Sequence, residues 1–342
     1  MNGTENPKKR APRNRTLTLT DDDRDTLKGL LVEEANAASE PLVCRTVHGH
    51  FEKTVPYITE GSVDLLILDP PYNLNKVFGA KKFPKRKVSD YTDWLDEIVS
   101  QLFPLLSSTA TVYFCGDWHT SASIFEVASK YFMVRNRITW EREKGRGAKT
   151  NWKNSSEDIW FCTVGNDYTF NVDAVKLRRK VIAPYTHGDG TPKDWEETTQ
   201  GRFRDTHPSN MWTDITIPFW SMPENADHPT QKSEKLFARL ILASTNPGDL
   251  VLDPFLGSGT TSVVSKKLER NYIGIEADEE YCLLAEKRLE LAGHDKAIQG
   301  YYDEVFWERN TLAEQLQHAN SQDNQRKRIE KADKSSQAEF SL

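Results

Sequence analysis

The stretch that most constrains this chain is Asp69-Pro70-Pro71-Tyr72-Asn73, which follows the apolar run Val63-Asp64-Leu65-Leu66-Ile67-Leu68. The run is of buried-strand type. The motif is therefore predicted at the carboxyl end of a β-strand, where open α/β sheets bind ligands. Its two prolines fix φ, stiffen the turn and push the residue before each out of helical conformation. Asp69 offers a carboxylate, Pro70 an unpaired carbonyl and Tyr72 a flat aromatic face. Two acceptors beside a stacking surface suit a planar ring with an exocyclic amino group, as in a nucleobase. Taken alone, the same residues also suit an ordinary strand-ending turn.

A second constellation lies far along the chain. Asp249-Leu250-Val251-Leu252-Asp253 reads as another short buried strand. It runs into Pro254-Phe255-Leu256-Gly257-Ser258-Gly259-Thr260-Thr261 and then into a predicted helix from about Ser262 to Leu268. Glycines at 257 and 259 let the backbone approach a ligand closely. No Gly-Lys-Ser/Thr follows, so this is not a Walker A loop, and the third glycine of the dinucleotide fingerprint is missing. The next predicted strand, Tyr272-Ile273-Gly274-Ile275-Glu276, ends in an acid suited to accept hydrogen bonds from ribose hydroxyls. These residues describe an adenosine-type cofactor without a pyrophosphate requirement. A ligand-free strand-to-helix turn is the other reading, and Glu276 could instead serve the N-terminus of the next helix.

Together the motifs resemble those of the amino-group DNA methyltransferases. Asp69-Pro70-Pro71-Tyr72 matches the family's acceptor motif. Asp253-Pro254-Phe255, followed by Gly257-Ser258-Gly259-Thr260-Thr261, matches its S-adenosylmethionine loop. His228-Pro229-Thr230-Gln231-Lys232 matches a third family pentad, ahead of the cofactor strand. The acceptor motif comes first and the cofactor motif last, an order that looks like the β class. The resemblance runs from roughly Cys44 to Ala292.

It implies an α/β, Rossmann-like methyltransferase fold with permuted motif order, and a mostly parallel sheet with helices on both faces. It also implies S-adenosylmethionine as cofactor, duplex DNA as partner, and a possible cognate restriction endonuclease in the same system. Asp at the head of the acceptor motif points to adenine N6, because the cytosine-N4 enzymes usually carry Ser there. Asp69 and the Pro70 carbonyl would hold the amine, with Pro71 stiffening the turn and Tyr72 stacking on an extruded base. Asp253 and the Gly257/Gly259 loop would hold the methionine and ribose portions, with Glu276 on the ribose. His228, Thr230 and Lys232 would line the same cofactor site, Lys232 favouring the cofactor carboxylate by charge. Neither a metal nor a covalent intermediate is required. Family members often carry Gly-Asp before the acceptor strand, where this chain has Gly49-His50. The alternatives are cytosine-N4 methylation, methylation of RNA or a protein amide, and a nucleic-acid-binding protein of the same fold without turnover.

The remaining sequence fits this frame with one objection. Net charge is −6, whereas DNA affinity normally draws on basic side chains. The basic residues are, however, clustered at Lys81–Lys87, Arg135–Lys153 and Lys176–Lys180, between the acceptor motif and the middle of the chain. Arg202 and Arg204 flank Phe203 further on and are candidates for phosphates or guanine edges; a solvated surface is the bland alternative. Predicted strands alternate with helices from Pro41 and again after Gln231, which argues for a parallel sheet covered on both faces. The expected divisions are a flexible basic arm over 1–40, a catalytic half over 41–171, an irregular target-recognition insert over 172–225, a cofactor-binding half over 226–309 and a polar tail over 310–342. The four cysteines are scattered, none in a Cys-x-x-Cys pair, as suits a reducing compartment. No apolar run is long enough to span a membrane, and a cytoplasmic location in a bacterium or phage is expected.

Overall fold

The computed structural model describes residues 11–78, 81–142, 150–182, 184–198 and 201–308. The start of the expected arm, the polar tail and the middle of the basic cluster at 135–153 lie outside these residues. The chain divides into two units: the stretch up to Asn171 with Ser209–Lys296, and Val172–Pro208 with the chain from Ala297 onward.

The strands of the first unit are β1 (Val32–Glu33), β2 (Arg45–His48), β3 (Val63–Leu68), β4 (Lys76–Phe78), β5 (Lys81–Phe83), β6 (Leu106–Gly116), β7 (Met133–Glu141) and β8 (Ser156–Thr163). The second unit contributes β9 (Leu177–Lys180), β10 (Glu196–Thr198) and β11 (Gly201–Thr206). The chain then returns through β12 (Met211–Trp212), β13 (Leu250–Asp253) and β14 (Asn271–Glu276), and ends in the second unit with β15 (Tyr301–Tyr302) and β16 (Val305–Trp307). The helices are α1 (Asp21–Lys28), α2 (Phe51–Thr54), α3 (Val88–Leu102), α4 (Ser121–Tyr131), α5 (Glu234–Ser244), α6 (Thr260–Lys267) and α7 (Glu279–His294).

Nine strands form one sheet in the order β1-β2-β14-β13-β3-β6-β8-β7-β12. Pairing is parallel from β1 through β6, and β8 then pairs antiparallel with both β6 and β7. Strand β3 shows why the parallel part must be covered on both sides: Leu65, Leu66, Ile67 and Leu68 are all fully buried. Leu66, Leu68, Leu252 and Ile273 share one core with Leu95 and Val99 of α3 and Val127 of α4. On the opposite face Tyr272 packs with Val263 of α6 and Leu289 of α7. Helix α1 starts in a capping box, Thr20 with Asp23, and lays Leu27 against Cys282 and Leu283 of α7. So the chain from Asp21 is packed onto the first unit, and the expected arm does not extend to residue 40.

The expected irregular insert is a correction of another kind. Strands β9, β10 and β11 join β16 and β15 in a five-stranded sheet, order β10-β11-β9-β16-β15. Strand pairing, rather than long apolar periodicity, holds this unit together, and β16 arrives from beyond residue 300. Trp212 is core, whereas Trp220 is half exposed. Among the described residues no helix is long and apolar enough to cross a membrane.

Candidate active site

Strands β13 and β3 are parallel neighbours, with Val251 beside Leu65 and Leu252 beside Leu66. Their carboxyl ends therefore release Asp253 and Asp69 at one edge of the sheet, Asp69 two residues beyond the level of Asp253, and β14 brings Glu276 to the other flank of β13. Two motifs more than 180 positions apart thus meet on one sheet edge, and a single cavity is lined by both.

The acceptor half holds Asp69, Pro70, Pro71 and Tyr72, all on the cavity wall. Tyr72 is buried, and its hydroxyl lies 3.1 Å from Asp69 Oδ1 and 3.3 Å from Glu157 Oε2. Burial, then the Asp69 and Glu157 carboxylates, push the phenol well above its ordinary pKa, so it stays a donor. The Pro71 carbonyl accepts from the Tyr91 hydroxyl at 3.4 Å, which ties the turn to α3.

Lys232 is not where the sequence reading put its charge. Its ammonium donates to Asp69 Oδ1 at 2.8 Å and Oδ2 at 2.6 Å, and to the Tyr72 hydroxyl at 3.2 Å. Burial opposes that charge, but the Asp69 and Glu157 carboxylates outweigh it and hold the pKa above the usual lysine value. The pentad is folded so that Gln231 turns inward, accepting from the Ala226 N–H and donating to the Glu224 carbonyl. That turn aims Lys232 across to the acceptor motif. The N-cap of α5 is Ser233, and the Glu234 N–H is met by the Glu224 carboxylate at 2.6 Å.

The cofactor half is built from the loop after β13. Asp253 is buried, and its carboxylate accepts from the Phe255 N–H at 3.0 Å and from the Thr261 hydroxyl. Burial pushes its pKa up to about 7, against the pull of those two donors. Among the described residues no ammonium or guanidinium pairs with it. Pro254, Phe255, Ser258 and Thr260 line the cavity with it, as does His228, which sits edge-on to Tyr281. Thr230 also lines the cavity, its N–H 3.3 Å from His228 Nδ1. Glu276 accepts from the Gly257 N–H and the Asp278 N–H, each at 2.9 Å, and burial raises its pKa. Gly257 (φ 54°) and Gly259 (φ 83°) need the left-handed region. A Cβ on Gly257 would come within 3.2 Å of the His228 ring, and one on Gly259 within 2.5 Å of the Ala285 Cβ. Gly259 caps α6 and packs on α7 rather than lining the cavity.

Two residues of this site escape the sequence motifs. Glu157, near the start of β8, is a second buried acid facing the acceptor motif. The only available signal was an acidic pair, Glu157-Asp158, leading into an apolar strand. Arg288 of α7 is buried and donates to the Ser258 carbonyl at 2.8 Å, to Thr260 Oγ1 at 3.0 Å and to Glu234 Oε1 at 3.0 Å. It braces the cofactor loop from behind; its spacing four residues after Leu284 was a faint sign of an inward position. Arg202 and Arg204 lie in the second unit, on β11, with ion pairs to Glu197 and Asp194.

The fold, the doubled motif edge and the cofactor loop define an S-adenosylmethionine-dependent methyltransferase. The sequence profile described as DNA methylase, covering the N6 and N4 amino-methyltransferases, matches residues 63–287, and the chain belongs to this family. It is 33% identical over 258 residues to DNA adenine methyltransferase YhdJ of Escherichia coli (strain K12), covering 73% of this chain and 84% of that one. It is 31% identical over 243 residues to type II methyltransferase M.HpaI of Haemophilus parainfluenzae, covering 70% and 71% of the two chains. Among solved structures, PvuII DNA methyltransferase (cytosine-N4-specific) shares the fold at a TM-score of 0.55 and 16% identity, covering 73% of this chain and 90% of that one. The chain is thus an enzyme of the DNA amino-methyltransferase kind.

Proposed function

We propose that the protein transfers a methyl group to adenine N6 within a short specific sequence of duplex DNA. The observation that carries this is Asp69 beside the Pro70 carbonyl, on the strand next to Asp253. An exocyclic amine is a poor nucleophile because its lone pair is delocalised into the ring. Two acceptors for its two hydrogens favour a tetrahedral nitrogen with a localised lone pair, so the gain is positioning plus electrostatics. Bound in the cofactor half, S-adenosylmethionine supplies an electrophilic methyl on a sulfonium. Asp253 suits its ammonium, Glu276 its ribose, and the glycine loop its close approach to backbone. Tyr72 offers its ring face to a base that has left the helix, as enzymes acting on bases require. The adenine-methylating relative supports N6, as does the Asp that heads the motif. The type II relatives support a modification role beside a restriction endonuclease of the same target, acting in the cytoplasm.

The second unit supplies the DNA contacts in this reading. Arg204 stands opposite Arg179, and Asp205 opposite Arg178, in the β11–β9 ladder. Alternation places Arg179, Arg202 and Arg204 on one face and Arg178 on the other. Arg178 is already engaged, with two 2.8 Å bonds to Asp205 and its guanidinium over the Trp307 ring. Like charges directly opposite are unfavourable, so the three-arginine face suits a polyanion. Arg179→Ala, Arg202→Ala and Arg204→Ala should each lower the salt slope of DNA binding by about 1. Arg178→Ala should leave that slope unchanged and reduce stability.

The direct test is transfer from labelled cofactor to genomic DNA, followed by nucleoside mass spectrometry. N6-methyladenine is the expected product. N4-methylcytosine would move the reading to the other amine, and no transfer to DNA would leave a binding protein.

A further inference from the structure

Lys232, like the Tyr72 hydroxyl, faces two carboxylates at once. Its ammonium touches both oxygens of Asp69, and Glu157 Oε2 waits 3.6 Å away on the other side. Glu157 is itself held, by the Arg142 guanidinium at 2.5 Å and by the Tyr72 hydroxyl. Lys232 and Glu157 are both buried, so neither charge is screened by water. Two acids and two cations form a group that is neutral as it stands.

A carboxylate has about four lone-pair sites. Asp69 Oδ1 uses two, on Lys232 and Tyr72, and Oδ2 uses one, on Lys232. The site left for a base amine is therefore on Oδ2. When the amine nitrogen takes a methyl carbon from a sulfonium, the carbon–sulfur bond would break with its electron pair staying on sulfur, and the nitrogen would be left positive with two hydrogens, one of which must go. An ammonium seated on Asp69 opposes the arrival of that proton. The same ammonium seated on Glu157 does not.

We propose that Lys232 is a positioning residue with two seats, Asp69 before methyl transfer and Glu157 after it, and that its move lets Asp69 Oδ2 take the proton from the methylated nitrogen. The inference rests on the amine-methylation reading above. The N–H bond breaks with its electron pair staying on nitrogen, the Oδ2–H bond forms, and Asp69 later returns the proton to solvent. Charge is conserved throughout: with the proton on Asp69 the cluster of Asp69, Glu157, Lys232 and Arg142 carries the one positive charge that the nitrogen gave up, and it returns to neutral when the proton goes to solvent. The groups facing Asp69 during this are Lys232 and Tyr72, Tyr91 of α3, Cys115 of β6, Glu157 of β8 and Asp253 of β13.

The test is a double-mutant cycle on the full chain, with Glu157→Gln, Lys232→Met and both together. Glu157→Gln removes the second seat while keeping shape. Its kcat should fall about 100-fold, with KM for cofactor and DNA within about threefold, and kcat should recover as pH rises and solvent takes over the proton. The double variant should turn over no more slowly than Lys232→Met alone, because without the ammonium the second seat has no occupant. Wild-type kcat in Glu157→Gln, a fall that is flat with pH, or additive losses in the cycle would each overturn the proposal. If Lys232→Met fails to fold, the pH profile of Glu157→Gln decides alone. The cycle is scored on whichever base the wild type methylates, so a cytosine product would sink the adenine reading without touching this one.

Discussion

Two aspartates end neighbouring strands of one sheet, and their surroundings are opposite. Asp69, after β3, is gripped through both oxygens by Lys232. Asp253, closing β13, is the more deeply buried of the two and, among the described residues, meets only neutral donors, the Phe255 N–H and the Thr261 hydroxyl. Strand environment alone does not account for this, since both follow buried parallel neighbours, Leu252 being in register with Leu66. The difference comes from a third segment, the pentad ahead of α5, which sends its lysine to one acid and not the other. A partly buried acid given its own cation is held ionised as an acceptor. A buried acid denied one is poised to receive a cation, or, failing that, a proton.

The largest effect expected from breaking this contrast is at Asp69. Asp69→Ala should lower kcat by about 10³-fold or more, the scale of losing a transition-state contact in a closed site. Cofactor affinity should stay within about threefold, as read by calorimetric titration. A matching loss of cofactor affinity would show that the two acids do not divide the work.

At Asp253 the expectation concerns pH. Its folded pKa, about 7, lies above that of an exposed aspartate. The protonated acid is thus favoured by folding, a contribution fully present below about pH 4 and lost as pH rises through about 7. The shift corresponds to a few kcal/mol, on the order of 1.4 per unit. Asp253→Asn cannot ionise, so its thermal midpoint should lose this fall between pH 5 and 8. The cofactor ammonium wants the opposite form. Wild-type affinity should weaken as pH drops through about 7, whereas Asp253→Asn should bind roughly 10- to 100-fold more weakly at pH 8 and without that slope.

Much of this contrast was legible before any coordinates, and the part that was not has a physical reason. Val63–Leu68 was readable to the residue as a strand, and Leu250–Asp253 to within its first position, because a strand buried on both faces shows an unbroken apolar run. Their adjacency followed only through family resemblance, since no local pattern states which strands pair. The Lys232–Asp69 contact was not legible because the direction of Lys232 depends on Gln231 folding inward, a non-local hydrogen-bond arrangement. Glu157 was invisible because an acid entering a strand ordinarily faces solvent. The β9–β11 unit read as irregular because its strands are three to six residues long and lean on β16, which arrives more than a hundred positions later.

The smallest effect expected, and the sharpest for the contrast, is at Thr261. Its buried hydroxyl is one of two donors to Asp253 among the described residues and favours the ionised acid. Thr261→Val keeps the branched shape and removes the donor, so it should raise the Asp253 pKa further. The pH at which cofactor affinity is half lost should move up by about half to one unit, a hydrogen bond's worth of roughly 1 kcal/mol. Affinity well above that range should be unchanged, because there the acid is ionised in both proteins. Activity of the acceptor half should not move at a saturating cofactor level, since Asp69 takes its donors from Lys232 and Tyr72. A displaced affinity limb with an unmoved kcat is what two independently tuned acids require; a limb that stays in place would mean that burial alone sets Asp253, and that the hydroxyl is only packing.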